Sequence, residues 1–259
     1  MTAALTVGDL SIRFGGLLAV EAMSLEVRDG EVLSLIGPNG AGKTSAFNAI
    51  TGYVEPAGGR IDYRGTSLVG RTPNQIAELG VVRTFQKTSV FTGLTVFDNV
   101  MIGLHLRSRQ NPVAILLGLP SVAREERELR DAARETLQFL GLETRADQQA
   151  SALPYGELRL LEVAVALAAK PKLLLLDEPV SGMNPSETTS FMKMLARIRG
   201  LGITVLLVEH DMKMVMGVSD RVICLNQGRI IASGAPAEIQ RNPEVIKAYL
   251  GERYVRAHG

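Results

Sequence analysis

The residues whose types and spacing point most directly to chemistry form the run GPNGAGKT, Gly37 to Thr44, which follows straight on the apolar run VLSLI, Val32 to Ile36. A buried strand that ends in a glycine-rich turn and opens a helix builds a cradle for phosphate. Gly37, Gly40 and Gly42 let the backbone turn and approach closely, so successive N–H groups point inward at phosphate oxygens. The helix that starts near Lys43 adds its positive N-terminal end. In such an arrangement Lys43 reaches the outer phosphates and the Thr44 hydroxyl ligates Mg²⁺. The stretch from Gly37 through Pro38, Asn39, Gly40, Ala41, Gly42, Lys43 and Thr44 to Ser45 is therefore the candidate phosphate-binding loop. An ordinary strand–turn–helix has no need of the Gly-Lys-Thr triplet, so the implied ligand is a nucleoside triphosphate.

A second set of residues supplies what such a ligand needs for hydrolysis. LLLLDEP, Leu173 to Pro179, is an apolar strand closed by two carboxylates. It has the character of a parallel strand covered on both faces, and ligands bind at the C-terminal ends of such strands. Asp177 is placed to hold Mg²⁺ through water beside Thr44, and Glu178 to polarise the water that attacks the γ-phosphate. Paired acids at a strand end also serve as helix caps or solvated turns; the phosphate loop in the same chain favours the catalytic role. Another apolar strand, ITVLLVEHD, is expected to end at His210, next to the Asp177 strand and within reach of a γ-phosphate. Gln86 closes VVRTFQ, where its amide is suited to ligate Mg²⁺ and report nucleotide state.

The elements that must position these groups follow from periodicity. LTVGDL, IRF, MSLEV, VLSLI, RIDYRG and VVRTF are strands, separated by turn signals such as Asp29-Gly30. Helices are expected from Lys43 to about Thr51 and after Pro73. From about Thr95 the pattern turns helical. Between Arg124 and Leu140, Leu129, Ala133, Leu137 and Leu140 share one face, with Glu126–Arg130 and Arg127–Asp131 spaced as i, i+4 pairs. A helix is expected from about Gly156 to Ala169, then KLLLLD, a helix from Ser186 to Ile198, ITVLLVEH, a helix around Lys213, RVICLN and GRIIASG. The methionines Met192, Met194, Met212, Met214 and Met216 are assigned to packing. The expected architecture is α/β: a P-loop nucleotide-binding core, 1–87 and 161–259, with an inserted helical subdomain, 88–160.

Composition bounds the remaining choices. The 28 basic and 27 acidic residues balance to a net charge of +1, which argues against a nucleic-acid binder. Cys224 is the only cysteine, which excludes a disulfide framework and a cysteine zinc cluster and fits a reducing compartment. The N-terminus has no basic region followed by an apolar core, so no secretory signal is expected. Apolar runs such as VAILLGL, Val113 to Leu119, fall short of the roughly 18 residues of a membrane span, so any membrane role is expected to come through a partner.

In order along the chain, GPNGAGKT, Gln86, LPYGE, LLLLDEP, SGMN and His210 resemble the ATP-binding subunits of ABC transporters. The match runs over nearly the whole chain, and it implies an N-terminal antiparallel β subdomain beside the P-loop core. The resemblance implies that LPYGE (Leu153, Pro154, Tyr155, Gly156, Glu157) is the signature that meets ATP on an opposite subunit. It makes SGMN (Ser181, Gly182, Met183, Asn184) the D-loop and Phe14 the ring that stacks on adenine. The tail HDMKMVMGVSDRVICLNQGRIIASGAPAEIQRNPEVIKAYLGE narrows the resemblance to the ATPases of branched-chain amino acid importers. That implies ATP and Mg²⁺ as ligands and a place at the cytoplasmic face of the inner membrane. The implied partners are two permeases gripped through the helical insert, a second ATP-binding subunit and, indirectly, an extracytoplasmic solute-binding protein. A cytosolic ABC ATPase of an assembly machine, such as iron–sulfur cluster biogenesis, is the alternative; a P-loop small-molecule kinase would need neither LPYGE nor His210. One residue departs from the family pattern: Pro154 stands where the signature's usual Ser offers a hydroxyl to the γ-phosphate. A partner ATPase that carries the Ser would restore one complete site, so a heterodimer with unequal sites is expected.

Overall fold

The computed structural model describes residues 3–84, 90–104 and 120–250. Two sheets carry the fold. Strands β1 (Ala3–Phe14) and β2 (Leu17–Arg28) form a long hairpin, and β4 (Gly58–Tyr63) and β5 (Thr66–Ser67) extend it into an antiparallel sheet ordered β2-β1-β4-β5. The second sheet is ordered β10-β9-β3-β8-β7-β6. Its strands β3 (Val32–Ile36), β6 (Val81–Arg83), β7 (Leu173–Asp177), β8 (Thr204–Val208) and β9 (Arg221–Asn226) are parallel, and β10 (Arg229–Gly234) closes one edge antiparallel.

Every residue of β3, β7 and β8 is buried. Their side chains alternate between two cores, as a pleated strand covered on both faces requires. Leu33, Leu35, Leu173, Leu175, Leu206 and Val208 face the antiparallel sheet and helix α1 (Lys43–Ile50), whose Phe47 is fully buried there. Val32, Leu174, Leu176, Val205 and Leu207 face the opposite way. There they meet α3 (Val96–Gly103), α4 (Pro120–Leu140), α5 (Tyr155–Ala168) and α6 (Pro185–Gly200). Each such leucine contributes about 1.5–3 kcal/mol relative to exposure. The short α2 (Pro73–Glu78) starts at a Thr72 capping box.

The expected strands appear, with LTVGDL and IRF joined into the single irregular β1. Helix α4 begins earlier than Arg124, at Pro120, and buries Ala133, Leu137 and Leu140 as expected. Glu126 pairs with Arg130 at 3.0 Å, but Asp131 pairs with Arg134 at 3.2 Å instead of Arg127, whose guanidinium Nε donates to the Ala123 carbonyl. The expected boundary at 160 falls inside α5, a continuous helix. Met194 and Met214 are buried, and Met192, Met212 and Met216 pack against the cores. Past β10 the chain forms two helices that periodicity did not single out, α8 (Pro236–Arg241) and α9 (Pro243–Leu250). With α7 (Met212–Val218) they cover Ile36, Val222 and Cys224.

Candidate functional site

The candidate phosphate loop sits between the end of β3 and the start of α1, and its shape is dictated by backbone crowding. Gly37 has φ +148, and a Cβ there would lie 2.0 Å from the Leu225 carbonyl oxygen of β9. Gly42, the N-cap of α1, has φ +104, and its Cβ would lie 2.5 Å from the Ala19 carbonyl oxygen. Only glycine fits either place. No side chain caps α1, which leaves its first N–H groups for a ligand. Lys43 Nζ donates to the Gly37 carbonyl at 2.7 Å and to the Pro38 carbonyl at 3.1 Å. Burial holds the Lys43 ammonium below its usual range, against the pull of the Glu178 and Asp177 carboxylates.

A cleft of about 730 Å³ opens over this loop. Asn39, Gly40, Ala41, Gly42, Lys43, Thr44 and Ser45 line it together with Phe14, Glu178 and Gln227. Phe14 ends the first strand of the hairpin about half exposed (48%), so it is available for stacking. Gln227 was not foreseen. It occupies the tight β9–β10 turn at φ +47, and the next N–H, of Gly228, donates to the Ala41 carbonyl at 3.0 Å. A turn dipeptide between two strands gives no sequence signal of what it faces.

At the end of β7 the two carboxylates part. Asp177 is buried, and its Oδ2 accepts from the Arg83 guanidinium at 2.7 Å. The same guanidinium donates to Asn48 of α1 at 2.7 Å, which ties β6, β7 and α1 together. Burial pushes the Asp177 carboxyl up, and Arg83 draws it back. Asp177 Oδ1 is buried and has no hydrogen-bond partner among the described residues. An oxygen of that kind suits a hard divalent cation or its water. Glu178 turns the other way, into the cleft, at the left-handed φ of +49. Its N–H donates to the Val208 carbonyl at 2.8 Å, which fixes this strained backbone against β8.

The His210 expectation needs adjustment. Strand β8 runs parallel to β7, with Val208 opposite Asp177, but it ends at Val208, two residues before the histidine. The reason is Glu209, which is fully buried and folds its carboxylate onto the turn. Oε1 accepts from Val180 N–H at 3.0 Å, and Oε2 accepts from His210 N–H at 3.0 Å and Asp211 N–H at 3.3 Å. Burial raises the Glu209 carboxyl, and these three N–H donors oppose the rise. His210 is thereby held with its side chain 57% exposed, and it does not line the Phe14–Glu178 cleft. Gln86 and the run Val113 to Leu119 lie outside the described residues.

LPYGE and SGMN meet each other rather than that cleft. Leu153 is buried and Pro154 is the N-cap of α5, again without a capping side chain. The Tyr155 hydroxyl donates to the Ser181 carbonyl at 2.8 Å, and its ring lies over Gly182. Gly156 packs against Glu187, while Glu157 pairs with Arg145 at 2.9 Å. Met183 packs against the helical core, and Asn184 caps α6 in a capping box with Glu187.

Residues 20–181 match the family model described as ABC transporter, and residues 229–255 match that of the branched-chain amino acid ATP-binding cassette transporter. The chain is similar to the high-affinity branched-chain amino acid transport ATP-binding protein LivG of Salmonella typhimurium. The two are 47% identical over 249 residues, 96% of this chain and 98% of that protein. The corresponding protein BraF of Pseudomonas aeruginosa is 44% identical over the same shares of the two chains. Among solved structures, an ATP-binding cassette of an ABC transporter in its ADP conformation superposes with a TM-score of 0.86 at 30% identity, covering 97% of this chain and 100% of that one.

Proposed function

This chain belongs to the ABC transporter family of ATP-binding proteins, and from that premise we propose that it hydrolyses ATP to drive an importer of branched-chain or related amino acids. Its α/β fold is that of the family's cassettes, and the proposed division is a nucleotide-binding core, 1–87 and 161–259, with a helical subdomain, 88–160. The observation that carries the catalytic reading is the single cleft that holds Phe14, the phosphate loop and Glu178. The similarity to LivG and BraF carries the choice of import, and it favours import over an assembly machine.

In the proposed mechanism adenine stacks on Phe14 and the phosphates lie on the N–H groups of the loop. Lys43 exchanges the Gly37 and Pro38 carbonyls for the outer phosphates. Glu178 accepts a proton from the water that attacks the γ-phosphate, and its strained backbone aims the carboxylate before substrate arrives. His210, oriented through the Glu209 carboxylate, turns its exposed ring toward the γ-phosphate once the subunits close. Thr44, Asp177 and Gln86 would hold Mg²⁺, which when bound neutralises charge on the phosphates. The buried, unpartnered Asp177 Oδ1 supports that assignment. LPYGE and SGMN face the ATP of a second ATP-binding subunit, and Pro154 makes that subunit a different chain. The pair works beneath two membrane permeases on the cytoplasmic face of the inner membrane, fed by an extracytoplasmic solute-binding protein, without nucleic acid. Among the described residues no helix is long and apolar enough to cross a membrane, so the attachment proposed is through the permeases.

The test is Glu178→Gln in the complex reconstituted in vesicles. ATP affinity should persist while turnover and amino acid uptake fall by roughly 10²–10⁴-fold. Near-normal hydrolysis would exclude Glu178 as the base. Normal hydrolysis without uptake, in protein that co-purifies with a soluble scaffold, would move the chain to an assembly machine.

A further inference from the structure

Helix α9, the last among the described residues, reaches the phosphate loop from behind. The Gly37 N–H, at the first step of the loop, donates to the Tyr249 hydroxyl oxygen at 2.7 Å across 212 residues of sequence. The Gly37 carbonyl accepts from Lys43 Nζ at 2.7 Å. A continuous chain of hydrogen bonds thus runs from α9 through Gly37 to the lysine proposed to hold the phosphates. We propose that Tyr249 is a positioning residue for nucleotide binding: its hydroxyl fixes the loop's entry and couples α9 to ATP occupancy. The inference rests on the ATPase reading of the same loop.

Three features support it. Gly37 is packed against the Leu225 carbonyl on one side and follows the fully buried Ile36, so the residue that meets the Tyr249 hydroxyl is itself held in place. When Lys43 leaves the Gly37 carbonyl for phosphate, Tyr249 becomes the side chain that still anchors this residue. The phenol also stays protonated: burial pushes it up to about 12, so it accepts the N–H as a neutral hydroxyl at any physiological pH. Finally, Tyr249 borders an apolar cavity of about 740 Å³ with Ile36, Met212, Met216, Ile239 and Val245. A shift of α9 over that space is the movement the proposed coupling would use.

If the hydroxyl selects the loop shape that binds ATP, its loss lowers the population of that shape and weakens apparent affinity in proportion. By linkage, ATP must in turn stabilise α9. The variant is Tyr249→Phe in the full chain, which keeps the ring and removes one oxygen. ATP titration should show Kd raised roughly 3- to 10-fold, as expected for one hydrogen bond, with kcat at saturating ATP within about twofold of wild type. Hydrogen exchange should show ATP-induced protection of α9 amides in the wild type and its loss in the variant. An unchanged Kd, or an α9 indifferent to ATP in the wild type, overturns the proposal. A lowered apo melting temperature with unchanged affinity assigns the hydroxyl to the fold alone and overturns it as well. Wild-type protein that bound no ATP would instead sink the ATPase reading, and this inference with it.

Discussion

Helices α1 and α5 both start after a residue that offers no capping side chain, Gly42 in one and Pro154 in the other, so each leaves first-turn N–H groups for an outside acceptor. They differ in what holds them. The approach to α1 is locked by backbone against backbone, with Gly37 under the Leu225 carbonyl and Gly42 under the Ala19 carbonyl. The start of α5 is held by side chains reaching from elsewhere: Tyr155 to Ser181, Glu157 to Arg145, and Gly156 against Glu187. A backbone lock tolerates almost no substitution and presents a fixed cradle. Side-chain struts can be exchanged singly, which suits the surface proposed to engage and release a second subunit. The Pro154 departure belongs to the second kind, since it removes a hydroxyl and leaves the helix in place.

Gly37→Ala should break the first region outright. The added Cβ meets a carbonyl of a buried strand, which cannot move aside as a side-chain end would, and φ +148 adds backbone strain. We expect a loss of roughly 2–5 kcal/mol in stability and no measurable ATP binding, read by melting and nucleotide titration. A well-folded variant that bound ATP normally would show that the loop is not locked.

Arg83→Leu tests the carboxylate beside that loop and should have the next largest effect. It strands the Asp177 charge in a buried place, at a cost of about 3–5 kcal/mol. Burial already sets the Asp177 carboxyl above its usual range, and removing the guanidinium raises it further. A folded-state value above the unfolded one means that the native protein binds the extra proton. Stability therefore falls as pH rises through that window and recovers as pH drops. The melting deficit of the variant against wild type should shrink as pH is lowered. A deficit independent of pH would point to lost packing of the Arg83 stem rather than a stranded charge.

The same contrast explains what was legible in the sequence. The candidate phosphate loop, the buried strand ending at Asp177 and the strand–helix alternation of an α/β core are written locally, in glycine spacing and apolar runs, because the backbone itself needs those residues. Arg83 lies inside a strand that was identified, yet nothing nearby tells that its guanidinium crosses 94 residues to Asp177. Glu209 looks like one more residue of an apolar strand until its carboxylate is seen folded onto the turn. Tyr249 sits in a tail whose helices did carry start signals, Pro236 and Pro243 each opening one, with Asn242 accepting the Glu244 N–H at 2.9 Å. Periodicity over six and eight residues is too short to register them, and no local pattern announces a hydroxyl aimed at Gly37.

The smallest effect should come from Tyr155→Phe, in the second region. It removes the bond to the Ser181 carbonyl and the one that Arg159 Nε donates to the Tyr155 hydroxyl at 3.0 Å. The ring can stay over Gly182, and Arg159 keeps its 2.8 Å ion pair with Glu162, so α5 retains its seat. Yet Ser181 is one step from the proposed base, because its N–H donates to the Glu178 carbonyl at 3.2 Å. Losing the strut loosens the link between the signature helix and the peptide that carries the proposed base. Of the two hydrogen bonds lost only the one to Ser181 leads toward the proposed base, so hydrolysis in the assembled pair should slow by roughly two- to tenfold, while ATP affinity and melting of the isolated chain stay near wild type. Rate assays on the assembled complex, set beside titration of the free chain, separate the two quantities. A loss of ATP binding as complete as that expected of Gly37→Ala would mean that α5 is locked as tightly as α1, and the distinction between the two helix starts would fall.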